Sequence, residues 1–290
     1  MSAQFKIKAA DPASVVRLER ELGLPRFIAA TLVARGIDNP AAVHRFLAPS
    51  LERDWLDPYI IPGLSDVADA LEAAVKRGDH ILVFGDFDLD GISATTVLTR
   101  GLRALGAQAT PFIPLRFEEG YALSQAAITR ACSFGPDFIV TVDCGIACKA
   151  EAAAVVEAGL GLAITDHHEP VDLVPEGVPV ADPKCDANCP SSILAGVGVA
   201  LKLVQVLGGR LGQPHLWRDF TDFATLGTVA DLMPMRDENR ALVSDGIARM
   251  NAAPRPCIAA LLATSGAADK PVSATNLSFS VIPRLNAAGR

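Results

Sequence analysis

Residues 81–91 read ILVFGDFDLDG: four apolar side chains, Ile81 to Phe84, run into a glycine-bounded turn that carries Asp86, Asp88 and Asp90. A short apolar run that stops at such a turn reads as a buried strand delivering polar groups at its carboxyl end. Three aspartates at alternate positions repel one another, and each resists ionising unless a cation or hydrogen-bond donors compensate. Something positive is therefore expected beside them.

The same pattern recurs downstream. DFIVTV runs into Asp143-Cys144-Gly145, and GLAIT into Asp166-His167-His168. QATPFIP and VPVAD read as two further strands. Helices are expected from Ser65, as N-cap, to Arg77, from Ser93 to Leu105, from Ser124 onward and from Ala147 to Ala158, and the chain reads as mostly helical after Gly196. Strands alternating with helices at this spacing imply an α/β fold, a doubly wound, mainly parallel sheet. Before it, Ala13 to Leu47 reads as short amphipathic helices broken at Pro25 and at GIDNP. The expected organisation is a helical N-terminal lead-in over 1–64 and a catalytic unit over 65–290 that ends in a helical C-terminal part.

The 290 residues are 50% hydrophobic and 20% charged, with a formal net charge of −7. Such a chain can bury a core, but it offers no bulk basic field for nucleic acid or an anionic membrane surface. A polyanionic substrate would need local help from metal ions or arginines. Six cysteines without a disulfide-style framework, and a first stretch without the apolar core of a signal peptide, read as a reduced, cytoplasmic protein. No apolar run approaches the roughly 20 residues of a membrane-spanning helix, so no membrane partner is expected.

In open α/β sheets ligands bind beyond the carboxyl ends of the strands, so the three polar clusters converge on one edge. LGTVADLMP adds Asp231. Several carboxylates and two imidazoles form a mixed oxygen and nitrogen donor set that suits Mn²⁺ and also admits Mg²⁺ or Zn²⁺. Any single aspartate after a strand could equally be a helix N-cap, and the two histidines alone could be a solvated loop. Cys144 with Cys148, and Cys185 with Cys189, have spacings that a structural zinc site could use. AGVGVALKL lacks the ending of a phosphate-binding loop, and its glycines read as helix-packing positions.

Taken in order, FGDFDLDGISATTVL, RFEEGYALS, VTVDCGI, ITDHHEP, LAGVGVALKL, LGTVADLMPMRDENR and PRLNAAGR resemble the motifs of the RecJ family of single-stranded-DNA exonucleases, within the DHH phosphoesterase superfamily. The lead-in is similar to that family's as well. Phe87 stands where the family usually has tyrosine, and Asp182 where it tends to have asparagine. Family members continue past PRLNAAGR into a second domain, DHHA1, and often an oligonucleotide-binding fold. This chain stops at Arg290 and so looks like a catalytic core without its clamp.

The resemblance implies a 5′ to 3′ exonuclease that releases 5′-mononucleotides from single-stranded DNA in recombination and repair. Relatives sharing the core that act on short oligonucleotides or cyclic dinucleotides supply the alternative. It also implies two divalent ions, manganese first and magnesium second, held by Asp86, Asp88, Asp90, Asp143, His167 and Asp231, with Asp143 bridging. By the same resemblance His168 meets the scissile phosphate, Arg284 neutralises developing charge, Asp166 orients a histidine, Arg116 grips the 5′-phosphate and Tyr121 lies near the terminal nucleotide. A single-strand-binding protein and a helicase are the implied protein partners.

Overall fold

The computed structural model describes residues 8–266 and 270–288. The first seven residues of the expected lead-in and the last two of PRLNAAGR lie outside them. The chain opens with α1 (Pro12–Leu22), α2 (Arg26–Ala34), α3 (Pro40–Leu47), a single turn α4 (Leu51–Asp54) and α5 (Leu64–Arg77). The α/β region follows as β1 (His80–Phe84), α6 (Leu89–Ala104), β2 (Gln108–Phe112), α7 (Gln125–Cys132), β3 (Phe138–Val142), α8 (Lys149–Glu157), β4 (Gly161–Thr165) and β5 (Val180–Ala181). The rest is helical: α9 (Gly196–Arg210), α10 (Thr221–Ala230), α11 (Asp237–Ala252), α12 (Pro256–Thr264), α13 (Ala274–Asn276), a π-helical turn (Leu277–Val281) and α14 (Ile282–Ala288).

The strands are ordered β2-β1-β3-β4-β5, and every pairing is parallel. Alternation along β1 explains the two layers of helix. Ile81 and Val83 pack with α5, α6 and α9, whereas Leu82 and Phe84 pack with α7 and α8. The order reverses direction at β1, so the crevice between the ends of β1 and β3 is the topological switch point where ligands bind in such sheets.

Several boundaries differ from the sequence expectation for physical reasons. The helix expected to follow Ser65 as N-cap starts at Leu64, after Gly63 at φ 72°. A Cβ on Gly63 would stand 1.8 Å from the carbonyl oxygen of Val180, so this turn is set by close approach to β5 and not by a serine cap. The helix expected from Ser93 begins at Leu89, because Asp88 caps it by accepting the amide of Gly91 at 3.0 Å. The helix expected from Ala147 begins at Lys149, and VPVAD contributes only two residues to the sheet.

The lead-in is tied to the sheet unit through a buried cation. Lys202, on α9, has no exposed surface; its Nζ donates to the carbonyl of Leu56 at 2.6 Å, pairs with Glu238 at 2.7 Å and lies 3.8 Å from the ring centre of Trp55. Breaking one partner of such a buried pair would strand the other charge, which is typically destabilising by about 3–5 kcal/mol.

Candidate metal centre

Asp86 and Asp88 leave the end of β1, Asp143 the end of β3, and Asp166, His167 and His168 the end of β4. Asp90 lies in the first turn of α6, and Asp231 follows the last residue of α10. Three donor groups result, each with ligand atoms within 4.8 Å of one another: Asp86, Asp88 and Asp143; Asp143, His167 and His168; and Asp90, His167 and Asp231. Nε2 of His167 is the hub of the last two, 3.0 Å from Asp143 and 3.7 Å from both Asp90 and Asp231. Asp143 belongs to the first two of these groups.

Asp143 has φ 61°, a left-handed conformation that aspartate tolerates better than most residues but that still stores strain. Three glycines make room for the carboxylates. A Cβ on Gly196 would meet Asp143 Oδ1 at 2.5 Å, one on Gly227 would meet Asp90 Oδ1 at 2.6 Å, and one on Gly91 would meet the backbone of Asp86 at 2.5 Å. Asp90 is further fixed by the start of α9, where the amides of Gly196 and Val197 donate to its two oxygens at 2.7 and 3.0 Å. The helix terminus that the glycine-rich motif creates thus serves the protein's own carboxylate.

Electrostatics show what this arrangement lacks. Burial raises Asp86 to about 6. Burial, and next the charge of Asp143, hold Asp90 well above the carboxylate range; Asp143 is raised in the same way by burial and then by Asp88. Burial also raises Asp231. Oδ1 of Asp86 is buried without a hydrogen bond, and Oδ1 of Asp143 makes none although His167 Nε2 is 3.0 Å away. Buried carboxylates with converging lone pairs and an imidazole nitrogen among them fit divalent cations, which would reverse those shifts.

Asp166 plays a different part. Its Oδ1 accepts the amides of His167 and His168 and Nδ1 of His168, the last at 2.7 Å, while Oδ2 accepts the amide of Ile146 at 2.9 Å. Burial would raise it, but the hydrogen bond and charge of His168 and these amides outweigh that and leave it below the usual range. In return, Asp166 raises His168 to about 9, with its ring half-exposed at the mouth of the site.

Arg116 and Tyr121 stand beside the centre. The Arg116 guanidinium lies 4.8 Å from the centre of the Phe87 ring, and Tyr121 meets that ring edge-on with centroids 6.1 Å apart. Arg284 is exposed on α14 and donates to the carbonyl of Ser280 at 3.1 Å. Its neighbour Asn286 makes the closer link, since Oδ1 accepts the amide of Leu89 at the start of α6. Cys144 packs in the apolar layer with α7 and α8, and no cysteine belongs to a donor group among the described residues.

Residues 80–228, just over half of the chain, match the DHH family, N-terminal domain. The chain belongs to the DHH family. It is 36% identical over 289 residues to the single-stranded-DNA-specific exonuclease RecJ of Bacillus subtilis, an alignment covering 99% of this chain and 36% of that relative. It is also similar to RecJ from Thermus thermophilus in complex with Mn²⁺, at 33% identity and TM-score 0.80, covering 97% of this chain and 39% of the other. The Mg²⁺ complex from the same source gives 29% identity and TM-score 0.69, covering 97% and 36%. The chain thus spans between about a third and a half of the length of the curated relatives it matches.

Within this DHH-family site, Asp86, Asp88, Asp90, Asp143, Asp166 and His167 were readable from sequence because each ends a strand or opens a helix, whereas Asp231 closes α10. Gly196 was read only as a helix-packing position, although it makes room for Asp143, and Gly91, Gly227 and Asn286 were given no role. For the glycines the only signal was their presence in the motifs; Gly196 and Gly227 act through contacts with Asp143 and Asp90, far from them in sequence, whereas Gly91 meets Asp86 within its own turn.

Proposed function

We propose that this chain carries the catalytic centre of a RecJ-like exonuclease that hydrolyses single-stranded DNA from the 5′ end and releases 5′-mononucleotides. The observation that carries the reading is the position of Asp143, whose carboxylate joins Asp86 and Asp88 in one donor group and lies 3.0 Å from Nε2 of His167, the hub of the other two. Asp86, Asp88 and Asp143 would hold one divalent ion, and Asp90, Asp143, His167 and Asp231 a second, with manganese preferred and magnesium a substitute. When bound, such a pair supplies Lewis acidity and an activated water for in-line displacement at a phosphodiester.

The chain's own groups supply the rest. Asp166 fixes the His168 ring at the mouth of the site, where it would meet the scissile phosphate. Arg284 would neutralise charge developing in the transition state. Arg116 would grip the 5′-phosphate, and the Phe87 and Tyr121 rings beside it offer stacking faces to the terminal nucleotide. The helices before residue 65 act as a lead-in to the catalytic unit at 65–290. A cytoplasmic setting, with a single-strand-binding protein and a helicase as partners, follows from the likeness to RecJ; among the described residues no helix is long and apolar enough to cross a membrane.

The test uses one oligonucleotide labelled at either end, single-stranded or annealed, with Mn²⁺ or EDTA. Release of a 5′-labelled mononucleotide from the single strand alone, and only with metal, is expected. Turnover confined to dinucleotides or cyclic dinucleotides would replace this reading with that of a small-substrate phosphodiesterase.

A further inference from the structure

A second region inverts the logic of the metal centre. Between the lead-in and the segment after Asp231 lies a cavity of about 630 Å³ lined by five arginines: Arg35, Arg45, Arg53, Arg236 and Arg240. Two acids share its lining, and both are already engaged, Asp54 by Arg53 at 2.6 Å and Asp237 by Arg236 at 3.7 Å. Arg35, Arg45 and Arg240 make no ion pair among the described residues. Arg35 and Arg240 instead flank one ring, with guanidinium carbons 5.7 and 3.8 Å from the centre of Phe46. Burial, and then the charge of Arg35, hold Arg240 below the usual arginine range.

In a chain of net charge −7, lining one cavity with five arginines against two acids leaves a local positive excess that an anion would offset. Guanidinium is also the side-chain group best matched to phosphate oxygens. We infer that this cavity holds backbone phosphates of a nucleic-acid strand whose end lies in the metal centre. The identity of that strand as substrate rests on the function proposed above; the anion site rests on the cavity itself.

Position supports a strand over a small free anion. Met235 lines the cavity four residues after Asp231, so their Cα atoms are at most about 14 Å apart, and one strand can meet both places. The intervening segment is pinned, because Asn239 is fully buried and its Nδ2 donates to the carbonyls of Ile193 and Pro234. The cationic groups come from two units, Arg35 and Arg45 from the lead-in and Arg240 from α11. Guanidiniums spread over two walls suit successive phosphates, and they give the lead-in a task on the substrate.

The experiment measures binding of a fluorescent single-stranded oligonucleotide by anisotropy, in EDTA, across a range of salt. R35A/R45A removes two exposed, unpaired arginines and is compared with R20A/R77A, which removes two that do not line the cavity. Each phosphate contact on a single strand contributes about −0.7 to the slope of log affinity against log salt, so R35A/R45A should lower that slope by about 1.4 and weaken binding on the order of tenfold. R35K/R45K should restore most of the slope, and a dinucleotide should bind all variants alike. Equal slopes for R35A/R45A and the wild type overturn the inference. So does saturation of the cavity by inorganic phosphate or a mononucleotide with no effect on strand binding. Because binding is read without metal, a cavity-dependent slope in a protein that never cleaves DNA would sustain this site and remove the exonuclease reading.

Discussion

Gly196 lies so close to Asp143 that a Cβ at position 196 would stand 2.5 Å from Oδ1 and 2.6 Å from the Cβ of the aspartate. The first residue of α9 therefore sets where the shared carboxylate can sit. Gly196→Ala should cost about 1–3 kcal/mol by overpacking and weaken Mn²⁺ binding as Asp143 is displaced. Gly209, on the same helix, has open space where a Cβ would go, and Gly209→Ala should be neutral or stabilise by about 0.5–1 kcal/mol. Urea denaturation and calorimetric Mn²⁺ titration of both variants measure this; equal effects at the two positions would contradict it.

Asp143→Asn should change stability with opposite signs in two conditions. Without a cation, Asp143 is held well above the carboxylate range by burial and by Asp88, so the folded state retains a proton that the unfolded chain has lost, and stability falls as pH rises past the unfolded value near 4. The amide removes that cost, so the variant should melt above the wild type in EDTA at neutral pH. With Mn²⁺ at about a hundred times its dissociation constant the wild type should gain about 2.7 kcal/mol, and the variant far less. Hydrolysis should fall at least a hundredfold. A melting scan in both buffers decides it, and a variant that melts lower in EDTA would show that Asp143 is stabilised by something other than a cation.

How much of this was readable from sequence depends on distance along the chain. β1, β3 and β4 were legible because each is an apolar run ending in a polar turn, and a parallel sheet brings all such ends to one edge. That rule alone places Asp86, Asp143, Asp166 and His167 at the edge; the roles expected of them came from the family resemblance. Asp88 is both a helix cap and a member of a candidate donor group, two readings that sequence treats as rivals. The Gly63 contact with Val180, the Lys202 pair with Glu238 and the arginine cavity join segments far apart in sequence, and no local pattern encodes which partner a residue will meet.

Arg116→Ala should reduce affinity for 5′-phosphorylated single strands about tenfold while leaving 5′-hydroxyl strands within about twofold, since the lost contact is charge-assisted. The guanidinium now stacks on Phe87 without an ion pair among the described residues, so its removal strands no buried acid. Competition binding with the two oligonucleotides measures the difference. Equal losses would assign Arg116 to packing against Phe87 instead of end recognition.

Asp182 supplies the last prediction. It is fully buried; Oδ1 accepts the amide of Lys184 at 2.7 Å, and Oδ2 has no hydrogen-bond partner. Burial, with the charge of Asp166 adding to it, raises the group to about 7. The sign follows from proton counting. Between the unfolded value near 4 and the folded value near 7 the native state holds the extra proton, so stability declines across that window and levels off above it. Asp182→Asn keeps the acceptor for Lys184 and removes the titration. In EDTA it should therefore melt about 5 °C above the wild type near pH 8, the gain shrinking toward zero as pH falls to about 4. Calorimetry across that range reads the difference directly. A gain that does not vary with pH would mean that Asp182 does not titrate there, and a loss near pH 8 would mean that its ionised form is held by a cationic partner.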